Sequence, residues 1–392
     1  MKIQNTRKIS EKISSMIEIN QLSAAVNTFL NNTIKRNSIM PSDIQKLRDD
    51  ALQYRKNMSL YGKYTLSEDE TMLLLLIESL MASQFGNEPQ IMEFFMSLIA
   101  KEMKIFNVKD FSDNPYIKNI VYDNHIRGDY ELKYNEIMPY ELDIYNIPKR
   151  INEMHINIPR ICCFDEEFKF PAITQNSIKS TWMSISPNEV FTMEAAIKNA
   201  RGRVLTLGCG MGYFAYMASL KEEVDSVTII ELEDDVIELF DSFVYPQFIN
   251  KDKVKVIKAD AVEYLNSLDD GIYDYCFADI WIGAEDIEPY FAVKEAGRRF
   301  NKMRIDYWIE DTFAIYLADF VYLEMINTFS DMNNIKLNDI SCLISNREEK
   351  IGKYIKKLMT DVEITRPEHI DYYLTPENVI HMINSSNIVF DE

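Results

Sequence analysis

The apolar residues in the first part of the chain follow a helical repeat. Up to about residue 127 they recur every three or four positions, which is typical of amphipathic helices. Residues that commonly begin helices precede these runs at Pro41, Ser67 and Pro89. The run from Met72 to Leu80 is apolar on nearly all sides, so we expect it to be buried. Residues 1–127 are therefore predicted to form a helical N-terminal domain.

The pattern changes after residue 127. From residue 128 to residue 185 the chain is rich in β-branched and aromatic residues, and prolines interrupt it at intervals. Within this stretch, Phe168 to Ile185 has turn-forming residues at its centre, at Gln175-Asn176-Ser177. Residues 128–185 are predicted to form a connector of short strands that includes a hairpin.

Strand and helix patterns then alternate. Short apolar runs typical of strands are separated by helical repeats, and they lie at Arg203–Leu207, Ser226–Glu231, Lys253–Lys258, Tyr273–Asp279 and Met303–Ile309. Such alternation predicts an α/β fold with a mainly parallel sheet and right-handed crossover helices on both faces. We assign this domain to residues 186–330, with a long helix from Asp311 through Phe329. Residues 331–392 are predicted to be a mainly helical extension, with helices around Arg347 to Met359 and after Thr375.

Composition excludes several classes of site. The five cysteines include no Cys-x-x-Cys pair, and the four histidines show no metal-binding spacing, so neither a disulfide framework nor a metal site is expected. No apolar run reaches the about 18 residues of a membrane span, and the polar N-terminus does not resemble a signal peptide. We expect a cytoplasmic protein with no membrane partner.

The charge is strongly negative but uneven. A formal net charge of −20 makes nucleic acid an unlikely partner, because phosphate backbones are repelled. Residues 1–60 nevertheless contain ten basic and five acidic side chains, a local charge of +5 that leaves −25 for the rest. This bias is typical of solvated helix faces, and an anion-binding arm is the alternative.

A glycine-rich turn directly follows the first strand of the α/β region. Leu207 ends that strand, and Gly208, Gly210 and Gly212 follow at alternate positions before a helical pattern beginning at Tyr213. Small residues there allow a ligand to touch the backbone, although the glycines could also serve only a tight turn. Dinucleotide-binding turns require a third small residue where this chain has Tyr213.

An acidic residue ends the second strand. Glu231 lies nineteen positions after Gly212, where a carboxylate can accept hydrogen bonds from both hydroxyls of a ribose. A surface glutamate is the alternative, but its place directly after a buried strand favours binding.

In these features the chain resembles the class I S-adenosylmethionine (SAM)-dependent methyltransferases, and most closely their spermidine synthase-like branch. The resemblance covers roughly Trp182 to Glu295 and implies a Rossmann-like fold that binds SAM. It implies that the glycine turn contacts the methionine portion, that Glu231 holds the ribose, and that Asp260 meets the adenine. The cofactor-binding residues that it implies are Leu207, Gly208, Cys209, Gly210, Gly212, Glu231, Leu232, Asp260, Ala261 and Asp279.

Asp279, at the end of the fourth strand, is the candidate catalytic residue. It could act as a base or orient the substrate, or it could only anchor the cofactor. Trp281 beside it could line an acceptor pocket or belong to the core. The Pro-Pro-aromatic turn of nucleic-acid amine methyltransferases is not found at this position.

The chain departs from spermidine synthases at two places. They usually have Tyr-His where this chain has Thr192-Met193, and an aspartate where it has Met211. Since those polar groups handle an amine substrate and the amino end of the cofactor, polyamine synthesis becomes the less favoured interpretation.

The sequence therefore predicts a SAM-dependent methyltransferase whose acceptor is a small molecule or a protein. A spermidine synthase-like aminopropyltransferase and a non-catalytic SAM-binding protein are the alternatives. The N-terminal domain would provide a lid, and either this domain or the hairpin would provide a homo-oligomer interface.

Overall fold

The computed structural model describes residues 1–36, 97–333 and 346–390, together with scattered positions between 46 and 95. Its residues divide into two compact units. The terminal unit comprises Met1–Phe29, Pro148–Ile158 and Ile309–Glu392, and the central unit comprises Leu30–Ile147 and Pro159–Trp308. The domain boundaries expected at residues 127, 185 and 330 stay a prediction.

The described strands are numbered in chain order. They are β1 (Lys2–Ile3), β2 (Lys104–Phe106), β3 (His125–Arg127), β4 (Tyr130–Ile137), β5 (Asp143–Ile151), β6 (Ile156–Phe164), β7 (Phe168–Gln175), β8 (Ser180–Ser184), β9 (Gly202–Leu207), β10 (Val224–Glu231), β11 (Val254–Lys258), β12 (Tyr275–Ala278), β13 (Arg304–Tyr307) and β14 (Glu363–Ile364).

The described α-helices are numbered in the same way. They are α1 (Arg7–Arg36), α2 (Val108–Ser112), α3 (Pro115–Asn119), α4 (Pro187–Asn199), α5 (Tyr213–Ser219), α6 (Asp234–Leu239), α7 (Ala261–Ser267), α8 (Ile287–Gly297), α9 (Glu310–Asn333), α10 (Asn346–Leu358), α11 (Pro367–Leu374) and α12 (Pro376–Ser385). A π-helical turn at Phe240–Val244 continues α6.

A five-stranded parallel sheet is the main element of the central unit. Its strand order is β11-β10-β9-β12-β13, and each neighbouring pair is parallel. Numbered within the sheet, this is the order 3-2-1-4-5 of a doubly wound α/β fold. The mixed α/β class and the five strands predicted from the sequence are confirmed, with ends that differ by at most two residues.

The interior strands of this sheet are apolar without alternation. In β9 the residues from Val204 to Leu207 are all buried, and β12 is buried throughout. Strands of parallel sheets have both faces covered, so they appear in the sequence as continuous apolar runs. The order reverses direction at β9, so a crevice is expected outside the carboxyl ends of β9 and its neighbours.

An antiparallel sheet precedes the parallel one in the chain. Its order is β3-β4-β7-β8, and β4 pairs with β7 over the whole length from Tyr130–Gln175 to Ile137–Phe168. The predicted hairpin is β7 and β8, whose turn is held by Asp129. Its carboxylate accepts the backbone N–H of Ser177 at 2.7 Å. The hairpin ends at Ser184, directly before α4.

The helical N-terminal domain expected over residues 1–127 stays a prediction, and its described residues form short strands as well as helices. The long helix α1 is present, but β1, β2 and β3 also lie in this range. These strands have two or three residues each, which is too short for an alternating pattern to appear in the sequence. The helix starts expected at Pro41 and Pro89 lie outside the described residues, and the few described positions after Ser67, such as Thr71 and Met72, are helical.

The terminal unit contains the predicted C-terminal helices. Helix α9 packs against α10, α11 and α12, and β1 pairs in parallel with β14. The buried His155 contacts a carboxylate oxygen of Asp371 through Nε2 at 3.0 Å, and Lys12 pairs with the same carboxylate. None of the described helices combines the length and the apolar character that crossing a membrane requires.

Candidate functional site

A cavity of about 440 Å³ opens at the carboxyl ends of the parallel strands. The residues that were expected to bind a cofactor and that line it are Gly208, Cys209, Gly210, Glu231, Leu232, Asp260, Ala261 and Asp279. The sheet topology thus brings together side chains that lie up to 71 positions apart in the chain.

Leu207 and Gly212 are not among the lining residues. Leu207 is fully buried in β9, where its carbonyl accepts the backbone N–H of Asp279 at 2.9 Å. Gly212 begins α5 with a φ of 72°, and a Cβ there would lie 2.4 Å from the ring of Phe240. Both residues therefore support the turn through packing, and the structure gives neither a direct place in the cavity.

The glycine turn lies directly against the end of β12. Gly208 has a φ of 95°, and an added Cβ would lie 2.0 Å from the carbonyl oxygen of Asp279. Only glycine tolerates both this backbone conformation and this close approach. The turn and Asp279 are consequently fixed relative to each other.

A buried tyrosine holds the turn from the other side. The hydroxyl of Tyr116, in α3, donates to the carbonyl oxygen of Met211 and also contacts the hydroxyl of Tyr122. Next to it, Asn114 donates to the hydroxyl of Tyr213 at 2.9 Å. No motif near the glycine turn points to Tyr116, because it lies 95 positions earlier in the chain.

Glu231 accepts three backbone hydrogen bonds. One carboxylate oxygen accepts the N–H groups of Leu232 at 2.8 Å and of Glu233 at 2.9 Å, and the other accepts that of Cys209 at 2.9 Å. A carboxylate has about four acceptor positions, so three are occupied. Glu231 therefore both stabilises the glycine turn and has one acceptor position left for a ligand hydroxyl, rather than the two expected from the sequence.

Asp260 and Leu232 lie at the rim of the cavity. Asp260 begins α7, and its carboxylate accepts the backbone N–H of Glu263 at 2.9 Å, as is common at helix starts. Leu232 is 54% exposed, so it presents an apolar surface beside the carboxylates. Together they make this part of the lining partly polar and partly apolar.

Asp279 lines the cavity together with a second carboxyl, Glu189, which the sequence reasoning did not select. Burial, followed by the negative charge of Glu231, raises the pKa of Asp279 to about 8. Burial likewise raises the pKa of Glu189 to about 8, and the charge of Asp279 adds to this rise. Both groups therefore change protonation near neutral pH, as groups that exchange protons with a substrate do.

Glu189 has an unremarkable position in the sequence. It lies in the first turn of α4, three residues after Ser186, and its backbone N–H bonds to the Ser186 hydroxyl. This is the pattern of a helix start, where a glutamate normally faces solvent. Here its carboxylate accepts the N–H and the hydroxyl of Ser184 at 3.3 and 3.2 Å and lines the cavity.

Two of the three positions that depart from spermidine synthases line the cavity, and the third, Thr192, bonds to a lining residue. The hydroxyl of Thr192 accepts the indole N–H of Trp308 at 2.9 Å, while Met193 and Met211 line the wall. Trp281 is both a core and a lining residue, since it is 4% exposed and donates its indole N–H to the carbonyl of Trp308. Apolar side chains therefore occupy two lining positions at which spermidine synthases usually carry polar groups.

The charged residues along the cavity are all acidic. They are Glu189, Glu231, Glu233, Asp260 and Asp279. No lysine, arginine or histidine is found among the described residues that line it. The cavity therefore has a negative potential, which favours cations and disfavours phosphate groups.

Comparison with known proteins gives only distant likenesses. No family model and no curated protein matches this chain. Among solved structures, the spermidine synthase of Thermotoga maritima is 14% identical to this chain. The likeness covers 33% of this chain and 50% of the other, with a TM-score of 0.26. A spermidine synthase bound to the transition-state analogue AdoDATO is 15% identical, with coverages of 33% and 49% and a TM-score of 0.25.

Two further likenesses are to methyltransferases. The Trypanosoma brucei PRMT1 enzyme–prozyme complex with AdoHcy is 19% identical, with coverages of 30% and 35% and a TM-score of 0.23. The methyltransferase domain of a bacterial Hen1 is 16% identical, with coverages of 29% and 58% and a TM-score of 0.23. The chain thus spans about half the length of the spermidine synthase structures that it matches.

Proposed function

We propose that this chain is a SAM-dependent methyltransferase whose cofactor binds in the cavity at the ends of the parallel strands. The observation that carries the proposal is the lining of this cavity, which combines a glycine turn and five carboxyl groups with no basic residue among the described lining positions. SAM has a positively charged sulfonium and no phosphate, so its charge suits these walls. A dinucleotide would bring its phosphates into the same negative field.

Each part of the cofactor has a partner of suitable chemistry. The free acceptor position of Glu231 suits a ribose hydroxyl, and the rim formed by Leu232 and Asp260 suits the adenine. The open side of the glycine turn at Gly210 suits the methionine portion. The bound cofactor would supply an electrophilic methyl group, while Asp279 and Glu189 accept or hold a proton of the acceptor.

Calorimetric titration with S-adenosylhomocysteine (SAH), the demethylated cofactor, tests this proposal. We expect one site with a micromolar or tighter dissociation constant, and no detectable binding of NAD at the same concentrations. A titration without heat for both SAM and SAH at several temperatures would overturn the proposal. Binding of NAD in place of SAH would overturn it equally.

Glu231→Ala is expected to weaken SAH binding by about tenfold to a hundredfold, which corresponds to about 1.5–3 kcal/mol for a hydrogen bond to a charged group. It should also lower the unfolding temperature, because the N–H groups of Cys209, Leu232 and Glu233 lose their acceptor. The matched control is Glu233→Ala, which removes a neighbouring rim carboxylate and leaves those three bonds in place. Equal dissociation constants for the two variants would contradict the role of Glu231.

Aminopropyl transfer is the second candidate, and the same lining favours it. The decarboxylated cofactor lacks the carboxylate of SAM, and no basic residue among the described lining positions offers that carboxylate an ion-pair partner. Mass spectrometry of the products separates the two reactions. A methyltransferase releases SAH, whereas an aminopropyltransferase supplied with decarboxylated SAM and putrescine releases methylthioadenosine.

A further inference from the structure

We propose that the acceptor is a small amine with alkyl substituents on its nitrogen, which leaves the site as a methylated ammonium ion. This inference rests on the proposed methyl transfer and names its substrate class. The structural basis is the lining of the same cavity, which includes three indole rings as well as the carboxyl groups of Glu189 and Asp279.

All three tryptophans of the chain line this cavity. Trp182 is held by stacking on Tyr130, with ring centroids 4.4 Å apart. Trp281 packs edge-to-face on Tyr290 at 5.8 Å. Aromatic faces attract organic cations through their negative quadrupole, and tryptophan does so most strongly. Finding every tryptophan at one cavity therefore points to a cationic ligand with apolar groups.

The indole N–H groups of two of these tryptophans are already used within the protein. Trp308 donates to the Thr192 hydroxyl at 2.9 Å, and Trp281 donates to the Trp308 carbonyl at 3.1 Å. These two rings can consequently offer a ligand only apolar and π surfaces. Such surfaces suit N-alkyl groups, whereas a primary ammonium would need hydrogen-bond acceptors on several sides.

Glu189 and Asp279 supply the opposite charge in their ionised form, which a bound cation favours over the protonated form. The Glu189 carboxylate is oriented by Ser184 from the neighbouring strand, and Asp279 is fixed against the glycine turn. A cation between them and the indoles would gain both ionic and cation–π attraction in a partly dry cavity. Because burial raises the pKa of both carboxyls to about 8, each can also accept a proton near neutral pH.

The reaction balances with these groups. The lone pair of the neutral amine nitrogen forms the new N–C bond, while the C–S bond of the sulfonium breaks and its electron pair stays on sulfur. The products are an ammonium ion and SAH. The ammonium product of a secondary amine keeps its proton and that of a tertiary amine has none to lose, while the carboxylate of Asp279 or Glu189 takes the proton that an incoming protonated amine must lose before its lone pair can attack.

The test uses tryptophan fluorescence of the full chain saturated with SAH, with choline as the probe and 3,3-dimethylbutan-1-ol as its neutral isostere. We expect choline to change the emission in a saturable way and to bind at least tenfold more tightly than the isostere, because the two ligands differ only in charge. Equal affinities would overturn the inference. Displacement of SAH by choline would also overturn it, since the cation would then occupy the sulfonium position of the cofactor.

Variants test whether the preference for choline over its isostere arises in the cavity. Glu189→Gln with Asp279→Asn, measured at an SAH concentration that saturates the variant, should remove most of the preference for choline over the isostere. Glu222→Gln, at an exposed position outside the cavity, should leave the preference unchanged. If the double variant keeps the full preference, the carboxyl groups do not bind the cation and the inference is wrong.

Two further outcomes are distinguishable. Putrescine binding more tightly than choline would overturn the N-alkyl specificity and favour aminopropyl transfer. If SAH itself gives no calorimetric signal, the proposed methyl transfer is wrong. The titrations of the ligand-free chain with choline and with its isostere then test the cation site independently.

Discussion

Gly208→Ala is expected to reduce SAH binding by at least a hundredfold, about 2.7 kcal/mol. The added methyl group would lie 2.0 Å from the carbonyl oxygen of Asp279, and the backbone at this position has a φ of 95°. Relief of the clash requires the glycine turn and the end of β12 to move apart. A residue forced into such a backbone region costs about 1–3 kcal/mol, so the unfolding temperature should fall as well.

The matched control is Gly352→Ala, which makes the same chemical change in α10. Apart from its chain neighbours and the backbone of its own helix, no atom of the described residues lies within 4 Å of a Cβ at Gly352, and its φ is not in the left-handed region. Alanine there should stabilise the helix by up to about 1 kcal/mol and leave SAH affinity unchanged. Calorimetry and thermal unfolding of both variants are the measurements. A Gly208→Ala chain that binds SAH like the native chain would show that the turn does not shape the cofactor site.

The second large effect is on the pH dependence of stability. Burial and neighbouring charge hold the pKa values of Glu189 and Asp279 at about 8 in the folded chain, above their ordinary values of 4.5 and 3.8. Between about pH 4 and pH 8 the folded state therefore binds more protons than the unfolded state, and these two groups reduce stability as pH rises. The two groups lower the stability of the fold least below pH 4, and their full destabilising effect is reached above pH 8.

The double variant Glu189→Gln with Asp279→Asn cannot ionise at these positions. Since each pKa unit corresponds to about 1.4 kcal/mol, we expect the ligand-free variant to be more stable than the native chain by about 3 kcal/mol or more at pH 9. The difference should nearly vanish at pH 4. Urea unfolding of the ligand-free proteins at both values is the measurement.

A control with the same change in net charge separates this effect from general repulsion. Glu222→Gln with Asp225→Asn removes two exposed carboxylates of the central unit. It should alter stability by about 0.5 kcal/mol or less. If the two double variants show the same change in unfolding free energy between pH 4 and pH 9, ionisation of the carboxyl groups in the cavity does not destabilise the fold.

The features that could be predicted from the sequence depend on short stretches of chain. The buried strands of the parallel sheet appear as continuous apolar runs, and Gly208 and Glu231 directly follow two of them. Because parallel strands place their carboxyl ends at one edge, the turn, Glu231 and Asp279 could be assigned to a common crevice before any coordinates were known.

The features that could not be predicted depend on distant or ambiguous contacts. Glu189 matches a helix start, and only the folded chain shows that its carboxylate faces the cavity. Tyr116 supports the glycine turn from 95 positions away. Gly212 belongs to the glycine pattern, yet its role is to admit the ring of Phe240, and no spacing rule distinguishes packing from ligand contact.

The hydrogen bonds of Glu231 affect whether this residue would be retained as the sequence diverges. A chain that lost its chemistry would still need an acceptor for three backbone N–H groups, so Glu231 would be retained for foldability alone. Glu189 and Asp279 differ from Glu231, because their negative charges lower the stability of the fold. Among divergent descendants, retention of this carboxylate pair, rather than of Glu231, would mark the lineages in which the proposed methyl transfer is still under selection.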